Sequence, residues 1–196
     1  FAVNKQKGNW KFNSAFGLIS PGFDSNDLGF LFQTNVYNGH VVTGYQWYEP
    51  DGMFRSKGFN VAAFRSYDFN GNKIGDGYFL FWDVQFMNYW RIEFDGSYLP
   101  AQLDNTITRG GPLMVSLYEG YNGGMEVSTD SRQDFVFEGN IFGASKLGRR
   151  RFSVGTGVEW KPSSTVRVSL SPRYDHNITS AQWVKSVTDP LATQTY

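Results

Sequence analysis

Glu93 and Asp95 are separated by one residue. On a strand that spacing puts both carboxyl groups on one face, about 7 Å apart. Paired carboxylates at such a distance can hydrolyse glycosidic bonds. Arg91 takes the next position on the same face, so ordinary charge pairing competes with catalysis there. Asp68, Asn70 and Asn72 offer oxygen side chains at alternate positions, with Asp76 further on. Calcium loops use such spacing to converge on one hard cation. Here Lys73 stands where an EF-hand needs glycine, and a hairpin loop built on Asn70-Gly71 is the competing reading. Arg149, Arg150 and Arg151 follow Lys146 at an expected loop. Their guanidinium forks suit lipopolysaccharide phosphates, against the alternative of a solvated charge cluster. Thr108-Arg109-Gly110-Gly111-Pro112 is not followed by a helix pattern, so its glycines serve a backbone excursion rather than a phosphate cradle.

Composition removes most other chemistry. The chain has no cysteine and two histidines, His40 and His176. Disulfide frameworks, thiolate zinc sites, cysteine nucleophiles and histidine-rich metal centres are excluded. No Ser-His-Asp arrangement is readable, so catalytic, cofactor-binding and metal residues are all assigned as none. Lys plus Arg is 18 and Asp plus Glu is 18, leaving no basic excess for a nucleic-acid partner. Charged residues are 18%, below the roughly 25% of an average soluble domain, while aromatics reach 18%. Such a chain is neither disordered nor composed like an ordinary cytosolic enzyme. No apolar run approaches the roughly 18 residues of a spanning helix, so a membrane would have to be met by strands.

The elements that position these residues are strands, because hydrophobicity repeats every second residue. Residues 78–86 carry Tyr78, Leu80, Trp82, Val84 and Phe86 on one face. Residues 90–98 carry Trp90, Ile92, Phe94 and Tyr98 against Arg91, Glu93 and Asp95. Residues 150–160 set Phe152, Val154, Val158 and Trp160 against Arg151 and Glu159, and residues 166–174 set Val166, Val168, Leu170 and Tyr174 against Arg167 and Arg173. Weaker alternation marks 10–18, 41–47, 59–67, 121–129 and 135–143, with a last short strand at 181–187. Short turns are expected at 49–53, 88–89, 130–134 and 161–165. Longer loops are expected at 21–27, 68–77, 100–112, 145–149 and 176–180. This predicts an all-β fold over residues 1–196: an antiparallel up-and-down meander of about ten strands, part or all of a transmembrane β-barrel.

The faces then acquire roles. Trp82, Val84, Ile92, Phe94, Val154, Val158, Val168 and Leu170 form the expected lipid-facing row, with Val168 near the bilayer midplane. Asp83, Arg91, Glu93, Asp95, Glu138, Glu159, Arg167 and Arg173 form the expected lumen row, with charges meeting across the lumen. Trp47, Tyr48, Tyr89, Trp90 and Trp160 beside short turns, and Tyr67, Tyr78, Tyr98 and Tyr174 beside loops, form two aromatic belts at lipid headgroups. A soluble antiparallel barrel or sandwich, binding a glycan through exposed aromatics, alternates too and remains the other reading.

Several segments also resemble a known family in their order: Asn26-Asp27-Leu28-Gly29-Phe30, Glu49 to Ser56, Gly75 to Tyr78, Asn88-Tyr89-Trp90, Thr108 to Pro112, and Thr129 to Arg132. Together they resemble the C-terminal barrel region of a large uncharacterised family of Gram-negative outer-membrane proteins. In that family the barrel follows a β-sandwich similar to family-nine carbohydrate-binding modules. The resemblance implies a place in the cell outer membrane of a Gram-negative bacterium, in contact with outer-membrane lipid, and glycan contact through the missing N-terminal module. It supplies no catalytic residues. The expected function is a structural, anchoring or transport-related barrel segment that is not an enzyme. Neither end reads as a closing strand, which marks the chain as a piece of a longer protein whose sheet is open, with strand 10–19 and the 181–187 segment as its edges.

Overall fold

Period-two patterning becomes strand pairing over most of the chain. The computed structural model describes residues 1–5, 7–23, 33–104, 114–115, 119–146, 148–179 and 184–185. Its strands are β1 (Ala2–Lys5), β2 (Trp10–Ile19), β3 (Val36–Trp47), β4 (Phe54–Tyr67), β5 (Lys73–Phe86), β6 (Arg91–Leu99), β7 (Leu103–Asp104), β8 (Met114–Val115), β9 (Gly120–Ser128), β10 (Phe135–Lys146), β11 (Arg149–Ser163), β12 (Val166–Leu170) and β13 (Arg173–Ile178). One sheet of 11 strands runs β1-β2-β3-β4-β5-β6-β9-β10-β11-β12, with β13 also paired to β11; β7 and β8 form a separate pair. Every pairing is antiparallel. Among the described residues no ladder joins the β1–β2 side to β12 or β13, so the sheet is open.

Several elements differ from the sequence reading. Lys73–Gly77, read as loop, begins β5, because pairing with Arg65 and Ser66 of β4 carries the glycine-rich segment into the ladder. At the expected long loop 145–149, Ser145, Lys146 and Arg149 instead belong to the β10–β11 ladder, with Lys146 paired to Arg149. The strand expected over 166–174 breaks before Arg173, at Pro172, which has no amide to donate. The Pro172 carbonyl still accepts the Thr156 amide at 3.1 Å, so the break stays attached to β11. β2 is not a bare edge, since β1 pairs with it from Phe12 to Ala15. Of the 181–187 segment, Val184 and Lys185 are described and lie outside any strand; the rest lies outside the described residues, as do Asn26 to Phe30 and Thr108 to Pro112.

The sheet has almost no core of its own. Among the described residues, the buried apolar side chains are Val84 and Val136. Many large apolar residues, among them Phe12, Trp82, Phe94, Ile141, Leu170 and Ile178, are exposed.

Candidate functional site: two faces of one sheet

Cross-strand partners share a face, so the registers assign faces directly. Trp82 lies opposite Phe59 and Phe94; Phe94 lies opposite Met125, Met125 opposite Ile141, and Ile141 opposite Val154. Val84 and Ile92 pair with each other on that face, as do Val158 with Leu170 and Trp160 with Val168. The eight residues expected in the apolar row therefore share one face. Trp82, Phe94, Val158, Val168 and Leu170 are exposed there, whereas Val84 is buried. Val168 stands opposite Trp160 near the 164–165 turn, at the end of the sheet rather than at mid-height.

Charged and polar side chains gather on the other face, which over β4 and β5 also holds the stacked rings of Phe64, Phe79 and Phe81, with Phe81 exposed. Asp83 lies opposite Glu93, Glu93 opposite Glu126, and Glu126 opposite Asn140. Asp95, Arg91, Glu138 and Glu159 share this face through Phe81, Gln85, Gly157 and Ser169 respectively, and Arg173 through Gly155. Arg167 alternates with Val168 and bonds Glu159 at 3.4 Å. The charges pair between near neighbours on the sheet, not across a lumen: Arg91 with Glu93, Lys161 with Glu159, Arg173 with Asp175 at 2.9 Å, and Arg151 with Asp175 at 3.0 Å. The Glu93–Asp95 pair thus has Arg91 on one member, and no general acid or base is singled out.

Crowding differs between the faces. A Cβ added at Gly44 would lie 2.3 Å from the Phe59 carbonyl oxygen, and one at Gly58 only 1.9 Å from Gln46 Oε1. Both glycines are on the polar face. On the apolar face Gly139 and Gly143 would meet nothing within 4 Å. At these positions the polar face is the tighter one, although Gly17 on that face would also meet nothing within 4 Å.

Aromatic rings collect toward both ends of the apolar face. On the loop side Tyr37 stacks on Tyr67 (5.5 Å), Tyr78 on Tyr98 (6.2 Å) and Tyr98 on Tyr121 (5.0 Å). The Tyr98 and Tyr121 hydroxyls both donate to the Glu119 carboxylate, at 2.9 and 2.8 Å. On the turn side Trp10 meets Tyr45, Tyr45 meets Trp47, and Phe135 stacks on Trp160. Tyr48 and Trp90 are exposed beside turns. Tyr174, expected beside a loop, instead lies within β13 opposite Val154.

Tyr89 is bound into a turn-side network that alternation does not reveal. Its φ is 65°, a left-handed conformation uncommon for a bulky residue. The Arg132 guanidinium lies 3.4 Å from its ring centroid and Arg55 lies 4.5 Å away, with Arg55 Nη1 donating to the Tyr89 hydroxyl at 2.9 Å. Arg132 also grips Asp130 through Nε (2.8 Å) and Nη2 (2.7 Å), and Lys161 donates to the Ser131 carbonyl. The Arg132 guanidinium and backbone amide hold the Asp130 carboxyl far below the usual range, and Asp130 raises Arg132 in return. Lys57 lowers the Asp51 carboxyl in the neighbouring turn through a 2.8 Å hydrogen bond.

The remaining candidates resolve locally. Asp68 fills its oxygens with its own loop: Oδ1 accepts the Asn70 and Asn72 amides at 2.9 and 2.8 Å, and Oδ2 accepts Asn72 Nδ2 at 2.8 Å. Gly71, at φ 85°, makes that turn. Asp76 is tied instead to Arg65 and Lys73. Among the described residues no cluster of His, Cys, Asp or Glu is arranged for a metal ion. Arg149, Arg150 and Arg151 are in strand β11, not a loop, so they alternate between faces: Arg150 points with Phe152, Arg149 and Arg151 with Ser153. His40 bonds Asn13 at 2.8 Å, and His176 pairs with Phe152 on the apolar face.

These features define an all-β protein built on one antiparallel sheet with an apolar and a polar face. The chain belongs to the family described as Domain of unknown function (DUF5916), which matches it over residues 1–194. No curated protein and no solved structure matches the chain.

Proposed function

We propose that the chain forms part of the wall of an outer-membrane β-barrel in a Gram-negative bacterium, in a structural, anchoring or transport-related role without catalysis of its own. The observation that carries this reading is the apolar face, exposed on the less crowded side of the sheet. A soluble barrel needs its apolar row inside; a membrane barrel needs it outside. An exposed apolar surface of this extent calls for a covering partner, and acyl chains cover both such a face and its aromatic margins. The polar face then lines the interior. Of Arg149, Arg150 and Arg151, Arg150 is the one on the apolar face and so the one placed for lipopolysaccharide phosphates. Glycan contact belongs to a preceding carbohydrate-binding-like module, as the resemblance implies.

Detergent dependence tests the reading. The chain should aggregate in plain buffer and become monodisperse, with antiparallel β circular dichroism, in detergent or lipid vesicles. A folded monomer in plain buffer that is retained on immobilised glycan would contradict it and favour the soluble ligand-binding domain.

A further inference from the structure

The apolar face is not uniformly smooth: a shallow dish of about 410 Å³ opens on it over β2 to β5. Two cross-strand rows build it. Ser14, Val41, Ala63 and Tyr78 form one, and Phe16, Gly39, Arg65 and Asp76 form the next. Small residues, Ser14, Gly39 and Ala63, make the floor, while Phe16 and Tyr78 stand at its sides. A Cβ at Gly39 would only touch Phe16 at 3.7 Å, so the hollow comes from residue size and not from a backbone constraint.

One end of the dish is charged. Arg65 Nη2 and Lys73 Nζ both reach Asp76 Oδ2, at 2.9 and 3.1 Å, and Arg65 Nη2 also reaches the Tyr78 hydroxyl at 3.3 Å. Two cations share one carboxylate, leaving a net positive charge. Asp76 is 3% exposed while Arg65 is 49% exposed and Lys73 33%, so the buried anion fixes the cations and the cations face outward. The Tyr37–Tyr67 stack lies in the adjoining row, which places this cluster within the loop-side aromatic belt.

We propose that this dish is a binding site for an acylated lipid carrying a phosphate headgroup. An acyl chain lies over Ser14, Gly39 and Ala63, and the phosphate accepts hydrogen bonds from Arg65 and Lys73. The proposal rests on the reading that the apolar face contacts lipid. Charge complementarity at the belt and an apolar hollow directly beneath it select this occupant over a zwitterionic lipid, whose headgroup brings no net charge.

The test uses the chain reconstituted in phosphatidylcholine vesicles containing spin-labelled phosphatidic acid or spin-labelled phosphatidylcholine, read as the motionally restricted lipid fraction. Phosphatidic acid should be preferred, and Arg65→Gln should lower the preference roughly five-fold, the effect of one cation near a headgroup. Gly39→Leu, which fills the floor and leaves both cations in place, should lower it as well. The restricted phosphatidylcholine fraction should stay constant in both variants. An unchanged preference in either variant overturns the site while leaving the lipid-facing reading intact. Absence of any restricted lipid in the unaltered chain overturns both.

Discussion

Tyr37 and Trp47 point to the same face of β3 from its two ends. Their separation is about 34 Å along the strand, or about 25 Å along the normal of a barrel with ordinary tilt, the height of a lipid-facing apolar band. Trp90 and Tyr98 bracket β6 over a shorter span, about 27 Å along the strand. On β3 the span between the aromatic margins matches the apolar band that the proposed membrane wall requires.

Substitution at mid-height separates the faces. Ile141 is exposed on the apolar face in the middle of β10, and Asn140 is its neighbour on the polar face. Ile141→Arg should destabilise the folded chain in vesicles by about 2–4 kcal/mol, and Asn140→Arg by much less. Urea titrations in lipid vesicles read both; equal penalties would remove the distinction between faces.

Tyr89 carries opposed contributions. Tyr89→Ala and Tyr89→Gly both lose the contacts with Arg55 and Arg132, yet glycine adopts φ 65° without a side-chain penalty. The glycine variant should be more stable than the alanine variant by about 1 kcal/mol. Denaturation midpoints would show the order, and a more stable alanine variant would mean that the turn relaxes out of this conformation.

Acid should loosen the turn side. The folded carboxyl of Asp130 titrates below its unfolded value because Arg132 holds it. Its stabilisation is therefore fully present above the unfolded pKa of about 3.9 and is lost as pH falls below that value toward the folded pKa. Asp130→Asn should flatten the stability profile in that acid window while lowering stability at neutral pH. Denaturant midpoints measured from pH 7 to pH 2 give the comparison, and parallel profiles for the two chains would contradict it.

The crowded face makes a further distinction. Gly44→Ala drives a Cβ into the Phe59 carbonyl oxygen, which a backbone cannot easily yield, whereas Gly139→Ala enters open space. The first should destabilise by about 1–3 kcal/mol and the second hardly at all. Thermal melts in detergent would rank them; equal melting temperatures would contradict the crowding on the polar face.

The two faces were legible in the sequence because alternation in stretches such as 90–98 and 150–160 is local information. What was not legible depends on pairing. Lys73 to Gly77 looks like loop until β4 is placed beside it, and that pairing creates the Arg65–Asp76 contact. Arg149 to Arg151 read as one cluster because a strand's alternation was not extended into them. The charges expected to meet across a lumen are satisfied by neighbours, as with Arg91 and Glu93. Asp130 and Arg132 stand two residues apart, but only the turn between β9 and β10 brings Arg132 over Tyr89. The β7–β8 pair left no periodic signal at two residues per strand.

Spin labels along β5 read which way the apolar face points. The chain has no native cysteine, so single cysteines can be placed along residues 78–86 and carry a nitroxide. In bilayer vesicles, labels at Leu80, Trp82 and Phe86 should relax with oxygen, which dissolves in lipid. Labels at Phe79, Phe81, Asp83 and Gln85 should relax with a water-soluble paramagnetic complex. An alternation of the opposite sign, or none at all, would mean that the apolar face does not meet lipid.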